Sequence, residues 1–385
     1  MLAVDAINQG IYLDYASTSP LLDEVLEATQ VLLPQFYANP DSLHTPGSKM
    51  AALQQRARKQ IAGLLGCQDH EVIFTSGATE ANNMAIKGIA LANQAKGKHI
   101  VTTAIEHKSV MSAITQLVDH FGFECTILPV DAKGNIDLHQ LEASLRKDTI
   151  LVSVMAVNNE IGTVFPIDTI TQIVKRYSKA YMHVDYVQAL GKIELQLQRV
   201  DAASFSGHKI GGLKGSGVLF KGQNVPMLPL LSGGQQENYQ RSGTSNAIAN
   251  ITFAKAMRLA IESQPVSYRK ATRWKQRIIS ECKQIEGWAC ISAEDASPFI
   301  ISMAYPKVPS QIMLNALDQK GIYVSAISTC STKSQQVSYV HQAIGLSDDR
   351  SRSVIRVSLS SMTKDEDVEA FIQAYKEVIF HGYST

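Results

Sequence analysis

The chain has 385 residues, of which 45% are hydrophobic and 18% charged, and its formal net charge is +1 at pH 7. A chain of this length and apolar content buries a large core, which excludes a disordered protein and predicts two packed domains. A net charge so close to zero gives no field that would draw the protein to nucleic acid or to a membrane surface, and we expect neither as a direct partner.

Targeting and metal-binding signals are absent from the sequence. Residues 1–10 show no basic patch followed by an apolar run, and no stretch reaches the roughly 18 apolar residues of a membrane span. The cysteines are odd in number and have no Cys-x-x-Cys spacing, which argues against zinc and favours a reducing compartment. We therefore expect a cytoplasmic protein without a metal site. The five cysteines are Cys67, Cys125, Cys282, Cys290 and Cys330.

Short apolar runs alternate with longer segments of helical period over the first two thirds of the chain. Between the first two runs, Ala81, Met84, Ala85 and Ala92 recur at helical spacing, which predicts a helix that begins near Thr79. This alternation predicts an α/β domain with a mostly parallel sheet. The predicted strands are residues 71–75, 99–103, 150–157, 181–184, 203–205 and 217–220.

The pattern changes near residue 256. A long helical stretch rich in lysine and arginine is followed by short strands at residues 299–303 and 355–359. A capping box from Thr363 to Glu366 predicts the start of a final amphipathic helix. We interpret this part of the chain as a smaller α+β domain.

Three polar clusters follow predicted strands of the first domain. The segment Ser76-Gly-Ala-Thr-Glu80 lies between a strand and a helix, where free N–H groups attract an anion, although an ordinary Ser/Thr helix cap explains it equally well. Asp185 ends another strand, where a carboxylate either caps a helix or pairs with a protonated pyridine nitrogen. Lys209, with Ser206 and His208 beside it, is either a surface lysine or an amine that forms a Schiff base.

These clusters belong to a longer series of motifs, which resembles class V aminotransferase-fold enzymes and, more closely, the NifS/IscS-type cysteine desulfurases. The likeness extends over almost the whole chain with its motifs in order. The motifs are Tyr12-Leu-Asp-Tyr15, Ser42-Leu-His44, Ser76-Gly-Ala-Thr-Glu80, Glu106-His-Lys108, Val157-Asn-Asn-Glu-Ile-Gly162, His183-Val-Asp-Tyr-Val-Gln188, Ser206-Gly-His-Lys209 and Arg241-Ser-Gly-Thr244.

The resemblance implies the fold of type I pyridoxal-phosphate-dependent transferases. We expect a large α/β domain with a mostly parallel seven-stranded sheet over residues 15–255. Residues 1–14 and 256–385 are expected to form the smaller α+β domain. That domain would carry the loop of Cys330.

The resemblance also implies the roles of individual residues. Lys209 would form the Schiff base with pyridoxal 5′-phosphate, Asp185 would pair with the pyridine nitrogen, and Gln188 would pair with the ring hydroxyl. His107 would stack on the ring and help to move protons. Ala78 and Asn159 would also contact the cofactor, and the phosphate would be held by Thr79, Ser206, His208 and, from the second subunit of a homodimer, Thr244.

The implied reaction is the removal of sulfur from L-cysteine. Asn159 and Arg356 would hold the substrate carboxylate, and the thiolate of Cys330 would take the sulfur as a persulfide for an acceptor protein. The acceptor would serve iron–sulfur cluster assembly, tRNA thiolation or thiamin synthesis, and the short segment after the last helix favours a dedicated acceptor.

Two other classes remain open from the sequence. One is a different pyridoxal-phosphate enzyme of this fold, an aminotransferase or selenocysteine lyase, which needs no thiol nucleophile. The other is a non-catalytic scaffold homologue, suggested by Ile327, which stands in the Cys330 loop where the family usually has glycine. Tyr186 replaces a small residue beside Asp185, and we expect it to tighten the cofactor pocket or to bond the ring or substrate.

Overall fold

The computed structural model describes residues 10–326 and 337–381. The strands are β1 (Ile11–Tyr12), β2 (Val72–Thr75), β3 (His99–Thr103), β4 (Glu124–Leu128), β5 (Thr149–Met155), β6 (Tyr181–Asp185), β7 (Ala202–Ser206), β8 (Gly217–Lys221), β9 (Ala289–Cys290), β10 (Ile300–Ala304), β11 (Ile322–Tyr323), β12 (Ser325–Ala326) and β13 (Val354–Ser358). The helices are α1 (Asp23–Gln35), α2 (Thr45–Leu65), α3 (Ala78–Asn93), α4 (Lys108–Phe121), α5 (Leu138–Ser144), α6 (Ile167–Tyr177), α7 (Ala247–Cys282), α8 (Ser310–Gln319), α9 (Tyr339–Ala343), α10 (Asp348–Arg352) and α11 (Asp365–His381).

The large sheet has seven strands in the order β2-β8-β7-β6-β5-β3-β4. The strands from β7 to β4 pair in parallel, and β8 runs antiparallel to both of its neighbours. The α/β fold with a mostly parallel seven-stranded sheet is therefore confirmed. All six strands predicted in this sheet are present, and the prediction omitted only β4, an edge strand.

The sheet is covered on both faces, which explains its apolar runs. Ile100 packs into one hydrophobic cluster with α3 and α4, whereas its neighbour Val101 packs into another on the opposite face. Successive residues of a strand point to opposite faces, so a strand buried on both faces must be apolar at nearly every position. β4 has largely exposed or half-buried residues and therefore lacks such a run.

A second sheet, in the order β12-β13-β10-β9, is antiparallel throughout. It forms a separate hydrophobic cluster with the C-terminal half of α7 and with α8 and α11. β1, near the start of the chain, pairs with β11 beside this cluster. The domain boundaries at residues 14/15 and 255/256 remain a prediction, and α7 runs through the second of them without a break.

The predicted capping box at the final helix is wrong by one residue. Asp367 accepts a hydrogen bond from the N–H of Lys364 at 2.9 Å, and α11 begins at Asp365. The hydroxyl of Thr363 instead accepts from the N–H of Ser360 at 3.0 Å, so it closes the preceding turn.

Within the described ranges, no helix is both long and apolar enough to cross a lipid bilayer.

Candidate active site

A cavity of about 590 Å³ lies where the strands of the large sheet end. In-register pairing places Met155 beside Asp185 and Asp185 beside Ser204, so the carboxyl ends of β5, β6 and β7 meet at one edge. Ligands of open α/β sheets bind at this edge. Nine residues predicted from sequence line the cavity: Ala78, Thr79, His107, Asn159, Asp185, Gln188, Ser206, His208 and Lys209.

Lys209 ends the short 3₁₀ turn after β7. Its Nζ donates to the carbonyl oxygens of Ala16 and Ser17, both at 2.6 Å, and not to a carboxylate. Burial, followed by the charge of Arg356, lowers the pKa of Lys209 to about 8 against the opposing charges of Asp14 and Asp185. A substantial share of this amine is therefore neutral near physiological pH, as a nucleophilic lysine requires.

Asp185 is a buried carboxylate at the end of β6. It accepts from Nδ2 of Asn82 at 2.8 Å and from the N–H of Val187 at 3.0 Å. No lysine, arginine or histidine of the described segments forms an ion pair with it. A buried carboxylate that faces a cavity without a cation has room for a positively charged N–H group from a ligand.

The first turn of α3 lies on the cavity wall. Its N-cap is Gly77, with φ of 151°, and no side chain caps the helix, so the alternative of an ordinary Ser/Thr cap is wrong. The close approach of β8 to this turn requires glycine at position 217, because a Cβ there would lie 2.6 Å from the Cα of Gly77. Free N–H groups and the positive end of the helix therefore face the cavity.

Two side chains adjoin this helix end. His208 lies within hydrogen-bond reach of Thr18, 3.2 Å from its hydroxyl, and burial followed by the charge of Lys209 lowers the pKa of His208 to about 4. Glu80 accepts from the N–H of Ser76 at 2.8 Å and pairs with Arg241 at 2.8 Å. Glu80 is thus held by these contacts, while neutral His208 is still able to donate one hydrogen bond.

Gln188 has a fixed orientation. Its Nε2 donates to the carbonyl of Ala16 at 2.9 Å, and its Oε1 accepts from Nζ of Lys192 at 2.7 Å. Lys192 is buried, and burial followed by the charges of Lys209 and Arg356 lowers its pKa to about 7. Lys192 was not predicted from the sequence, although its spacing of four residues after Gln188 was the available signal.

His107 is the N-cap of α4 and lies on the cavity wall. Its Nδ1 accepts from the N–H of Ser109 at 3.2 Å and lies 2.8 Å from the hydroxyl of the same serine. Burial lowers the pKa of His107, although the charge of Asp185 acts in the opposite direction.

Arg356 does not line the main cavity but lies behind it on β13. Its guanidinium donates to the carbonyl of Asn159 at 2.8 Å, to the carboxylate of Asp14 at 2.8 Å and to the hydroxyl of Ser17 at 2.7 Å. Its Nε is buried and has no partner among the described residues. This N–H is thus an unused hydrogen-bond donor.

Thr244 lines a neighbouring hollow of about 160 Å³ and not the cavity of Lys209 in the same chain.

The segment before Thr244 contains three consecutive residues with positive φ, Glu237, Asn238 and Tyr239. Glu237 anchors this strained turn through Arg58, at 2.6 Å, and through the N–H of Phe74, at 3.0 Å. Such strain persists only where the surroundings hold it in place.

Cys330 lies outside the described residues. The described residues before it end with β12, whose Ser325 pairs with Arg356 in register, and those after it include Ser338, which donates to Glu160 at 2.5 Å. Burial raises the pKa of Cys67 and Cys125 to about 11 and that of Cys282 to about 12. It raises the pKa of Cys290 as well, so none of these four is a ready thiolate.

Tyr186 does not reach the cavity, so the expectation that it bonds the ring or substrate is wrong. Its hydroxyl donates to the carbonyl of Gln196, and its ring stacks on Phe205 with centroids 5.8 Å apart. The side chain is buried in the core under the sheet.

No cluster of three or more histidine, cysteine or acidic residues in the described part of the chain is arranged to hold a metal ion.

Comparisons with known proteins identify the family. The family model described as Aminotransferase class-V matches residues 11–371. A protein named cysteine desulfurase IscS from Dictyoglomus turgidum is 38% identical over 377 residues, which cover 97% of this chain and 95% of that protein.

Two solved structures are similar over nearly the whole chain. A NifS-like protein superposes with a TM-score of 0.91 at 34% identity and covers 96% of this chain and 99% of its own. A structure described as SspA in complex with cysteine superposes with a TM-score of 0.80 at 31% identity, covering 90% of this chain and 98% of its own. The chain belongs to the class V aminotransferase family and, within it, to the NifS/IscS cysteine desulfurases.

Proposed function

We propose that this protein is a cysteine desulfurase that takes sulfur from L-cysteine, releases L-alanine and holds the sulfur as a persulfide on Cys330. The observation that carries the proposal is that one cavity contains the amine of Lys209, whose pKa is lowered to about 8, and the carboxylate of Asp185, which has no ion-pair partner among the described residues. Relatives named cysteine desulfurase and the cysteine complex of SspA support the substrate.

The cavity fits pyridoxal 5′-phosphate, the cofactor of this family. The uncapped N-terminus of α3 suits the phosphate, the unpaired carboxylate of Asp185 suits the pyridinium N–H, and the amine of Lys209 suits the aldehyde. Around the phosphate we place Ala78, Thr79, Ser206 and His208. When bound, the cofactor supplies an electron sink beside the amino group of the substrate.

The residues of the chain then perform separate tasks. Lys209 moves the α-proton of the substrate, and Gln188 donates from its amide nitrogen to the ring oxygen. Asn159 and Arg356 bind the substrate carboxylate, for which the free Nε–H of Arg356 is suited. His107 covers the ring.

Cys330 is the proposed sulfur acceptor. Its thiolate attacks the sulfur of the substrate, the carbon–sulfur bond breaks, and the electron pair remains on carbon, which is protonated and leaves as alanine. Two observations support this role: the described residues on both sides of its segment contact Arg356 and Glu160, the latter next to Asn159 in the chain, and the four other cysteines have raised pKa values.

The finer assignments extend the same proposal. A homodimer in which Thr244 reaches the partner's phosphate is supported by the position of Thr244 outside its own cavity and by exposed apolar side chains at Tyr37 and Leu43. A cytoplasmic location is supported by the cysteine pattern. The sulfur acceptor is a protein serving iron–sulfur clusters, tRNA thiolation or thiamin synthesis.

The test is to incubate the holoenzyme with cysteine and to measure alanine and the intact mass before and after a reductant. A desulfurase releases alanine and gains the mass of one sulfur, which the reductant removes. An aminotransferase would give a keto acid without the added sulfur, a lyase acting only on selenocysteine would leave cysteine unchanged, and a scaffold homologue would release alanine no faster than free cofactor.

Arg356→Lys should raise KM for cysteine roughly 10- to 100-fold with a smaller effect on kcat, because a lysine cannot reproduce the charge-assisted contacts of the guanidinium. Steady-state alanine release measures both constants. Arg352→Lys, at an exposed position of α10, is the matched control and should leave KM unchanged. An unchanged KM in Arg356→Lys would remove Arg356 from the substrate site.

The rate of cofactor binding should follow the titration of Lys209. Because only the neutral amine attacks an aldehyde and the pKa of Lys209 lies at about 8, the rate of reconstitution of the apo-protein should rise about tenfold between pH 7 and pH 9 and then level off. Stopped-flow absorbance of added pyridoxal phosphate measures it. A rate that keeps rising above pH 10 would indicate an ordinary, solvated lysine.

A further inference from the structure

The hydrogen bonds between Asp185 and His107 run in one direction. The amide nitrogen of Asn82 donates both of its protons, one to Oδ2 of Asp185 at 2.8 Å and one to the hydroxyl oxygen of Ser109 at 2.9 Å. The reverse orientation of Asn82 would bring its amide oxygen against a carboxylate oxygen, and both atoms only accept. The orientation of Asn82 is therefore determined.

The orientation of Asn82 leaves the hydroxyl proton of Ser109 free for another acceptor. Because that oxygen already accepts from Asn82, its own proton is free to donate to Nδ1 of His107, 2.8 Å away. The backbone N–H of Ser109 also points at Nδ1, at 3.2 Å, and a backbone N–H only donates. Two donors thus converge on Nδ1, which must carry a lone pair.

We propose that Ser109 and Asn82 are positioning residues that hold His107 as the neutral tautomer with its proton on Nε2. A charged imidazole would need a proton on Nδ1, which would remove the hydrogen bond from the backbone N–H of Ser109, and with it the N-cap of α4, and would reverse the bond with the Ser109 hydroxyl. His107 therefore works from Nε2 as a hydrogen-bond donor, and transfer of the substrate α-proton falls to Lys209.

The charged groups around His107 have opposite effects on its pKa. Asp185 favours a charged ring, whereas Lys209 on the turn after β7 and Lys108 on α4 disfavour it, and burial exceeds these charges in lowering the pKa of His107. The assignment of a task to Nε2–H depends on the proposed function. The tautomer itself depends only on the contacts of Asn82 and Ser109.

The experiment is ¹⁵N NMR of the holoenzyme labelled at histidine, with the His107 signals identified by their loss in His107→Gln. We expect an unprotonated Nδ1 and a protonated Nε2 at pH 7.5 and above. Ser109→Ala removes one of the two donors, so the pKa of His107 should rise by about one pH unit, the equivalent of one hydrogen bond.

Two variants separate this effect from general damage to the fold. Ser109→Thr keeps the hydroxyl and should retain the wild-type tautomer. Ser112→Ala makes the same chemical change at an exposed position of α4 and should change nothing. A proton on Nδ1 or a charged His107 at pH 7.5 in the wild type, or a Ser109→Ala spectrum identical to the wild type, would overturn the proposal. If the wild type gave the predicted spectrum but released no alanine from cysteine, only the proposed function would be overturned.

Discussion

Cys330→Ser should lower alanine release from cysteine by at least roughly 1000-fold, because a hydroxyl at this position is too weak a nucleophile to take sulfur from the substrate. The visible absorbance of the bound cofactor should remain, since Lys209, Asp185 and the first turn of α3 are unchanged. Alanine assay, absorbance and intact mass on one preparation measure the reaction, the cofactor and the persulfide.

The matched control is Cys67→Ser, which changes a half-buried thiol whose pKa is raised to about 11. This variant should form the persulfide at the wild-type rate. If Cys330→Ser kept alanine release while Cys67→Ser lost it, the nucleophile would be misassigned. If both variants kept full activity, a thiol-independent reaction would be indicated.

Asp185→Asn should lower kcat roughly 100- to 1000-fold, the size found when one preorganised electrostatic group is removed from an active site. An amide carries no charge to balance a protonated pyridine nitrogen, so the electron sink becomes weaker. The cofactor should still bind covalently, because the charge of Asp185 raises the pKa of Lys209 and its loss favours the neutral amine. Single-turnover loss of the substrate α-proton, followed with deuterated cysteine, measures the step directly.

Asp137→Asn is the control for this change. Asp137 is an exposed N-cap of α5, a position where asparagine caps about as well as aspartate, so neither stability nor kcat should change. A kcat for Asp185→Asn within a few-fold of the wild type would show that this carboxylate does not serve the ring.

Sequence predicted those parts of the fold that burial determines. β5 and β6 are buried along almost their whole length, so their apolar runs were recognisable. β4 is an edge strand whose exposed positions erase that pattern, and its existence depends on pairing with β3. The start of α11 depended on whether the hydroxyl of Thr363 bonds forwards or backwards, which local sequence does not decide.

The candidate site was predictable where one residue carries the chemistry, as at Lys209 and Asp185. The residues that hold Asp185, His107 and Gln188 in place were missed, because they act through partners distant in the chain or one helical turn away; these residues are Asn82, Ser109 and Lys192. The contact of Tyr186 with the ring or substrate was predicted wrongly for a related reason. A bulky residue beside Asp185 on an alternating strand end points away from the cavity and into the core.

The most direct measurement is borohydride reduction of the freshly purified holoenzyme, followed by peptide mapping with mass spectrometry. The pyridoxyl phosphate adduct should be found on Lys209 alone. Lys192 provides an internal comparison, since it is a second buried lysine nearby with a pKa lowered to about 7. An adduct on Lys192 or any other lysine, or no adduct at all, would contradict the account.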